Sequence, residues 1–155
     1  MRYSAGVLVY RRRTEVEVLL GHMGGPLWAR KDEGAWSIPK GEYEPGAEEP
    51  RAAAAREFTE ELGVAVPAGE WLPLGEVRYS SGRKQLVVWA VAGDLDPAQV
   101  IPGTFEMEWP PRSGRLRRFP EIDRADWFDP AVARGKLSAG QRPLIDRLVE
   151  LLAAD

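Results

Sequence analysis

Apolar and polar positions change their period several times along this chain of 155 residues. Residues 4–10 (SAGVLVY) are β-branched and largely apolar, the composition of a strand buried on both faces. Residues 15–20 (EVEVLL) alternate before turning apolar, as a neighbouring strand would. The charged run 11–14 suits the turn between them. Residues 21–32 hold three glycines, a proline and Trp28 and read as an irregular connection, of a length at which loops are often functional. Residues 34–38 (GAWSI) form a short extended piece, ended by Pro39, which also biases Ile38 away from helix. A helical period then takes over between Pro50 and Gly63. Proline suits the first helical position, where its missing N–H has no intrahelical partner, and glycine suits the left-handed residue just past the end. At about 100° per residue, Glu57, Glu60 and Glu61 share one face of this helix while Ala55, Phe58 and Leu62 gather on another.

Beyond the helix, residues 71–79 and 85–92 have strand composition, and Ser80, Ser81 and Gly82 between them are turn residues, so a hairpin is predicted. Residues 104–109 (TFEMEW) alternate like a half-exposed strand with Glu106 and Glu108 on one side, and Pro110 and Pro111 stop it. Residues 112–118 read as a basic, glycine-containing loop, 125–128 as a short strand and 130–134 as one helical turn. Ser138 and Gln141 have capping-box spacing for a last helix, whose apolar stripe is Leu144, Ile145, Leu148, Leu151 and Leu152. Strands on both sides of one helix, with a second helix at the end, predict an α/β fold in which helices cover a mixed sheet.

Composition narrows the picture. With 44% hydrophobic and 29% charged residues, the chain is expected to form one domain over residues 1–155 with a real core. A net charge of -3 with both signs well mixed provides no basic field for collecting a polyanion, which argues against nucleic-acid polymers as partners. There is no cysteine, hence no disulfide framework, thiolate nucleophile or cysteine-based zinc site. The apolar run near the start is too short for a signal h-region or a membrane span, so a cytoplasmic chain with no membrane partner is expected.

The three glutamates on one helix face repel one another by a few tenths of a kcal/mol per pair, which a cation would offset. Hard divalent ions take oxygen ligands, commonly a few carboxylates with water and substrate phosphate, so the face suits a metal platform for a phosphorylated substrate. Taken alone, the triad fits a solvated acidic face as well.

The wider stretch 41–64 (GEYEPGAEEPRAAAAREFTEELGV) separates these readings. Its run Arg56-Glu57-Phe58-Thr59-Glu60-Glu61-Leu62-Gly63-Val64 resembles the second half of the Nudix box, and every position that the pattern specifies is matched. Glu48 stands eight residues before Arg56, as the family's isolated glutamate does, and Pro39, Lys40 and Gly41 look like the opening of the box. One residue departs from the pattern: Glu48 is seven positions after Gly41 instead of six, an insertion in the turn at Gly46 and Ala47 that a loop absorbs better than a helix.

The resemblance to the Nudix (MutT-like) hydrolases implies an α/β/α sandwich with a mixed sheet and a metal-dependent pyrophosphohydrolase. Such an enzyme cleaves a phosphoanhydride in a nucleoside diphosphate linked to a group X. It implies that Glu57, Glu60, Glu61 and the carbonyl of Lys40 hold Mg²⁺ or Mn²⁺, that Glu57 also serves as base and that Arg56 orients the carboxylates with Glu48 as its partner. A small nucleotide is the implied partner, with a nucleoside or dinucleoside polyphosphate the expected substrate. ADP-ribose or a nucleotide sugar is the alternative, and a non-catalytic nucleotide-binding module of the same fold the alternative of another class. For the rest of the substrate, Lys40, Arg115 and Arg117, with Arg112 and Arg118 nearby, are candidates for phosphate contacts, and Trp28 and Trp109 for base stacking. Glu106 or Glu108 is a candidate extra carboxylate. His22, the only histidine, reads as a loop or packing residue.

Overall fold

The sheet is organised on its first strand. The computed structural model describes residues 1–154. β1 (Arg2–Arg12) runs parallel to β6 (Lys84–Ala92) along its length, from Arg2 opposite Lys84 to Tyr10 opposite Ala92. Its other edge is shared. The far end pairs antiparallel with β2 (Val16–Met23), Tyr10 opposite Val18, and the near end with β4 (Lys40–Tyr43), Gly6 opposite Lys40. β2 leaves β1 after Val18 and takes β3 (Trp36–Ser37) as neighbour instead. Residues 36–43 are thus wedged into a fork between the first two strands. β5 (Trp71–Arg78) lies antiparallel on β6, and β9 (Ile122–Phe128) lies antiparallel on β2, giving a mixed seven-stranded sheet.

Alternation along β1 sends Ala5, Val7 and Val9 to one face and Leu8 to the other, and every one of these four is fully buried, as the expected two-sided strand requires. The first face is covered by α1 (Pro50–Leu62), whose Ala53, Ala54, Phe58 and Leu62 are buried. The stripe is therefore centred one residue earlier than the sequence suggested, and Ala55 is only half-buried. Truncating Phe58 to alanine would cost about 3–5 kcal/mol, the usual range for an enclosed aromatic. The opposite face is covered by α2 (Pro130–Lys136) and α3 (Arg142–Ala153), through Ala133, Leu144, Ile145, Leu148 and Leu152. The expected α/β/α sandwich is what the chain forms.

Two expectations are corrected. The basic run 112–118 is not all loop: β8 (Leu116–Pro120) pairs antiparallel with β7 (Thr104–Glu108) in a separate two-stranded ribbon, where Arg118 stands opposite Glu106. This cross-strand pair of opposite charge and the Phe105–Phe119 ring pair support strands that composition alone hides. Ser138 and Gln141 form no capping box. A short 3-10 turn occupies residues 139–141, α3 begins at Arg142 with a proline in its first turn, and the Gln141 side chain turns inward to be buried.

Candidate active site

Helix α1 starts and stops as its sequence dictates: Pro50 is in the first turn, and Gly63 adopts φ 69° and donates its N–H to Thr59 O at 2.7 Å. With both ends fixed, the register of Arg56, Glu57, Glu60 and Glu61 is fixed too. The helix packs against β1 and β4, bringing its acidic face to Lys40 and Gly41. A Cβ at position 41 would fall inside the Glu57 carboxylate, so only glycine leaves room for that side chain. One turn on, the backbone N–H of Lys40 donates to Glu61 Oε2 at 3.3 Å.

Arg56 ties the acids together. It donates twice to Glu48, Nε to Oε2 and Nη2 to Oε1, each at 2.9 Å, a bidentate pair. Its Nη1 donates to Glu57 Oε1 at 2.8 Å and to Glu60 at 3.2 Å. Those bonds hold the Glu48 carboxyl below its ordinary range and the guanidinium above its own. Burial raises the Glu57 carboxyl, with Arg56 opposing. Burial also pushes Glu61 up to about 8; Lys40 opposes this shift and Glu121 adds to it. The Glu57 side chain is 15% exposed and that of Glu60 58%, so the face grades from enclosed to open.

These side chains border a groove of about 860 Å³. One wall is Lys40, Gly41, Glu57, Glu60 and Glu61; another is Tyr79, Ser80, Ser81 and Lys84 from the β5–β6 turn; Met23, Trp28, Ser37, Thr104, Ser138 and Gln141 also line it. Glu121 lines it too, and sequence reasoning missed it. A single acid as the one residue between β8 and β9 gives no periodic signal, and the bonds from Glu121 N–H to Gly103 O at 2.8 Å and from Gly24 N–H to Glu121 O at 2.9 Å set it at the groove. Glu106 instead pairs with Arg118 at 3.5 Å, and Glu108 accepts from the Arg112 N–H at 2.6 Å. Arg56 lines a neighbouring hollow with Glu48 and Tyr43, and so reaches the carboxylates from behind.

Of the residues expected to bind substrate, Lys40 and Trp28 line the groove, whereas Trp109, Arg115 and Arg117 belong to the β7–β8 ribbon and do not. Arg117 stacks over Phe119 at 5.7 Å. His22 is a packing residue, as expected: fully buried, it is bonded through Nδ1 to Asp123 at 2.8 Å and through Nε2 to the Lys31 carbonyl at 2.6 Å.

Among the described residues no three His, Cys, Asp or Glu side chains enclose an ion by themselves. An open set of carboxylates beside a groove still fits Mg²⁺, which keeps several waters and draws the remaining ligands from substrate phosphate. The cradle at Gly41 and the all-oxygen donor set are the features that fit. No helix among the described residues is long and apolar enough to cross a membrane.

Solved structures share the architecture. The Ap4A hydrolase of C. elegans, in a binary complex, superposes with a TM-score of 0.66 at 20% identity, over 98% of this chain and 99% of that one. The NUDIX domain of Shewanella oneidensis NrtR, complexed with ADP ribose, gives 0.61 at 16% identity, over 97% of this chain and 87% of that one. The E. coli ORF135 protein gives 0.58 at 28% identity, over 99% and 94%. No curated protein matches the chain. The family model for the NUDIX domain matches residues 1–148, nearly the whole chain, and on that match the chain belongs to the NUDIX domain family.

Proposed function

We propose that this chain is a metal-dependent pyrophosphohydrolase acting on a nucleoside or dinucleoside polyphosphate. The observation that carries the reading is the join between helix and loop. The Glu57 carboxylate fills the space that Gly41 leaves, Glu61 accepts from the Lys40 N–H, and both border a groove that Lys40 and Lys84 also line. Carboxylates suit a cation at one end, and ammonium and hydroxyl groups suit phosphate beyond it. A cytoplasmic location accompanies this reading.

Glu57, Glu60, Glu61 and the Lys40 carbonyl are the groups that would hold Mg²⁺ or Mn²⁺. The ion, when bound, neutralises charge on the phosphate oxygens and acidifies water. Glu57, whose burial favours the neutral form, takes the proton of the attacking water at its carboxylate. The water oxygen bonds to phosphorus, the bridging P–O bond breaks, and its electron pair leaves with the departing phosphate. Arg56 keeps Glu57 and Glu60 from swinging apart and fixes Glu48 behind them. Trp28 offers a face for the base.

A second reading, ADP-ribose as substrate or as a ligand bound without turnover, is supported by the likeness to the NrtR domain. The test is kcat/KM with Mg²⁺ for a nucleoside triphosphate, a dinucleoside tetraphosphate and ADP-ribose, repeated after neutralising Arg115 and Arg117. Preference for the longer polyphosphates supports the proposal. Preference for ADP-ribose shifts it to the second reading, and binding without turnover of any of the three overturns catalysis. A loss confined to the longer substrates in the arginine variants would bring the ribbon into the site.

A further inference from the structure

Gln141 is a polar side chain 1% exposed, which the chemistry above does not use. It sits just ahead of α3, in the layer opposite α1, yet it borders the same groove. Its Oε1 accepts from the Ile38 N–H at 2.8 Å, and its Nε2 donates to Ser37 Oγ at 3.0 Å and to Tyr79 Oη at 3.3 Å. Only one orientation of the amide serves all three. The Ile38 N–H can only donate and so must face the oxygen, leaving both hydroxyls to the nitrogen. Ser37 Oγ in turn donates to Ile38 O at 2.8 Å. Tyr79 Oη, having accepted from Gln141, keeps its own proton to donate, and Tyr79 lines the groove. The Tyr79 ring is seated by the adjacent residue, because a Cβ at Gly140 would fall inside it.

Ile38 is two residues from Lys40, and the chain between them has no slack. Ile38 is fully buried, and Pro39 O accepts from the Val7 N–H at 3.1 Å. A Cβ on Gly6 would stand 2.7 Å from Pro39 O, so β1 presses close on this run as well. Lys40 N–H is taken by Glu61. Fixing Ile38, together with the β1–β4 pairing that holds Lys40 opposite Gly6, therefore sets the direction in which the Lys40 carbonyl points.

We infer that Gln141 is a positioning residue for both halves of the site. Through Ile38 it aims the Lys40 carbonyl at the carboxylate face, and through Tyr79 it sets the wall against which the substrate lies. One amide couples cation affinity to substrate affinity. The inference rests on the metal-dependent reading above and extends it to a residue on the other side of the sheet.

The experiment measures Mn²⁺ affinity without substrate, from the free-ion electron paramagnetic resonance signal, and KM and kcat separately, for Gln141→Met, Gln141→Glu and Tyr79→Phe. Gln141→Met removes every bond and should weaken Mn²⁺ binding about tenfold or more, the usual effect of losing a group that orients metal ligands, and raise KM. Gln141→Glu keeps an oxygen for Ile38 and loses the amide donor, so Mn²⁺ affinity should hold while KM rises to the level of Tyr79→Phe. Tyr79→Phe should leave Mn²⁺ affinity unchanged, and added to Gln141→Met it should raise KM no further, because both changes remove one coupling. A folded Gln141→Met with wild-type Mn²⁺ affinity and KM overturns the inference, as does full additivity of the two changes. If Gln141→Met does not fold, Gln141→Glu decides: equal loss in both readouts, or in neither, overturns it. Failure of the wild-type chain to hydrolyse any nucleotide would end the hydrolase reading, while the Mn²⁺ comparison still judges Gln141.

Discussion

Gly41 and Glu57 compete for one volume: a methyl group on the glycine would stand where the carboxylate of the glutamate is. Gly41→Ala should therefore displace the proposed base while leaving the hydrophobic core untouched. A misplacement of this kind costs about 10²-fold in rate, so kcat/KM should drop by about that factor with little change in melting temperature. Adding Glu57→Gln to the alanine variant should then cost far less than it does alone. Wild-type activity in Gly41→Ala would show that the carboxylate has another place to go.

Arg56 spans three carboxylates with a planar fork, which an ammonium group cannot do. Arg56→Lys keeps the charge and should still lower kcat by about tenfold or more through loss of ligand orientation. Glu48→Gln retains one acceptor oxygen and should cost less. Steady-state kinetics on the two variants check the order, and the reverse ranking would place Glu48 nearer the chemistry than the structure does.

The extra residue near Ala47 lies in an exposed turn closed by the Ala47 N–H to Glu44 O at 3.1 Å and the Glu48 N–H to the same oxygen at 3.2 Å. Deleting Ala47 shortens that turn without touching α1. Activity should stay within about tenfold, or about 1.4 kcal/mol in the barrier. A larger loss with an unchanged circular dichroism spectrum would mean that the longer turn is needed to bring Glu48 to Arg56.

Asp32 accepts from Lys136 and, at 2.8 Å, from Trp36 Nε1, and these bonds, that with Lys136 first, hold its carboxyl below the ordinary value near 3.8. A carboxylate with a depressed folded pKa stabilises the fold above its unfolded value and loses that contribution as pH falls through the folded one. Urea unfolding between pH 2 and 6 should therefore show a shallower acid-side decline in Asp32→Asn than in the wild-type chain. Identical slopes would mean that the carboxylate is equally comfortable unfolded.

Strand β5 pairs on one side with β6, and Arg147 of α3 covers its outer carbonyls, donating Nη1 to Leu74 O at 3.0 Å and to Glu76 O at 2.9 Å. Arg147→Ala uncovers a strand edge beside the irregularity at Gly75. The expected loss is about 1 kcal/mol, which lowers the melting temperature by about 2–4 °C for a domain of this size. Light scattering should show more association at high concentration, and an unchanged profile in both assays would make the arginine a bystander.

Helix α1 was legible because its information is local: a proline, a glycine and a 3.6-residue period lie within the same few turns, and tertiary contacts had nothing to override. The stripe slipped by one residue because the helix rolls to seat Ala54 and Phe58 on β1, which periodicity alone does not report. The sequence around Gln141 misleads for the opposite reason. Its spacing from Ser138 matches a local cap, but its partner Ile38 is 103 positions away, and a buried backbone donor at that distance outweighs a solvent-facing cap. The ribbon strand β8 is hidden by its arginines, since Leu116, Arg117 and Arg118 are all exposed and a stretch solvated on both faces has no need of apolar alternation. Glu121 carried no signal beyond being one acid among many.

The parallel ladder between β1 and β6 also determines how the chain must emerge from the ribosome. The central strand is translated first, and its longest partner follows roughly eighty residues later, which at about 5–20 residues per second is a delay of roughly 4–16 s. Until then AGVLV has only the short pairing with β2 at its far end, and with β4 at its near end once that has emerged, to occupy its backbone groups. The nascent chain thus carries an apolar strand with one bare edge until β6 has emerged, a target for chaperones that bind extended apolar segments. Slower translation before Lys84 prolongs that exposure.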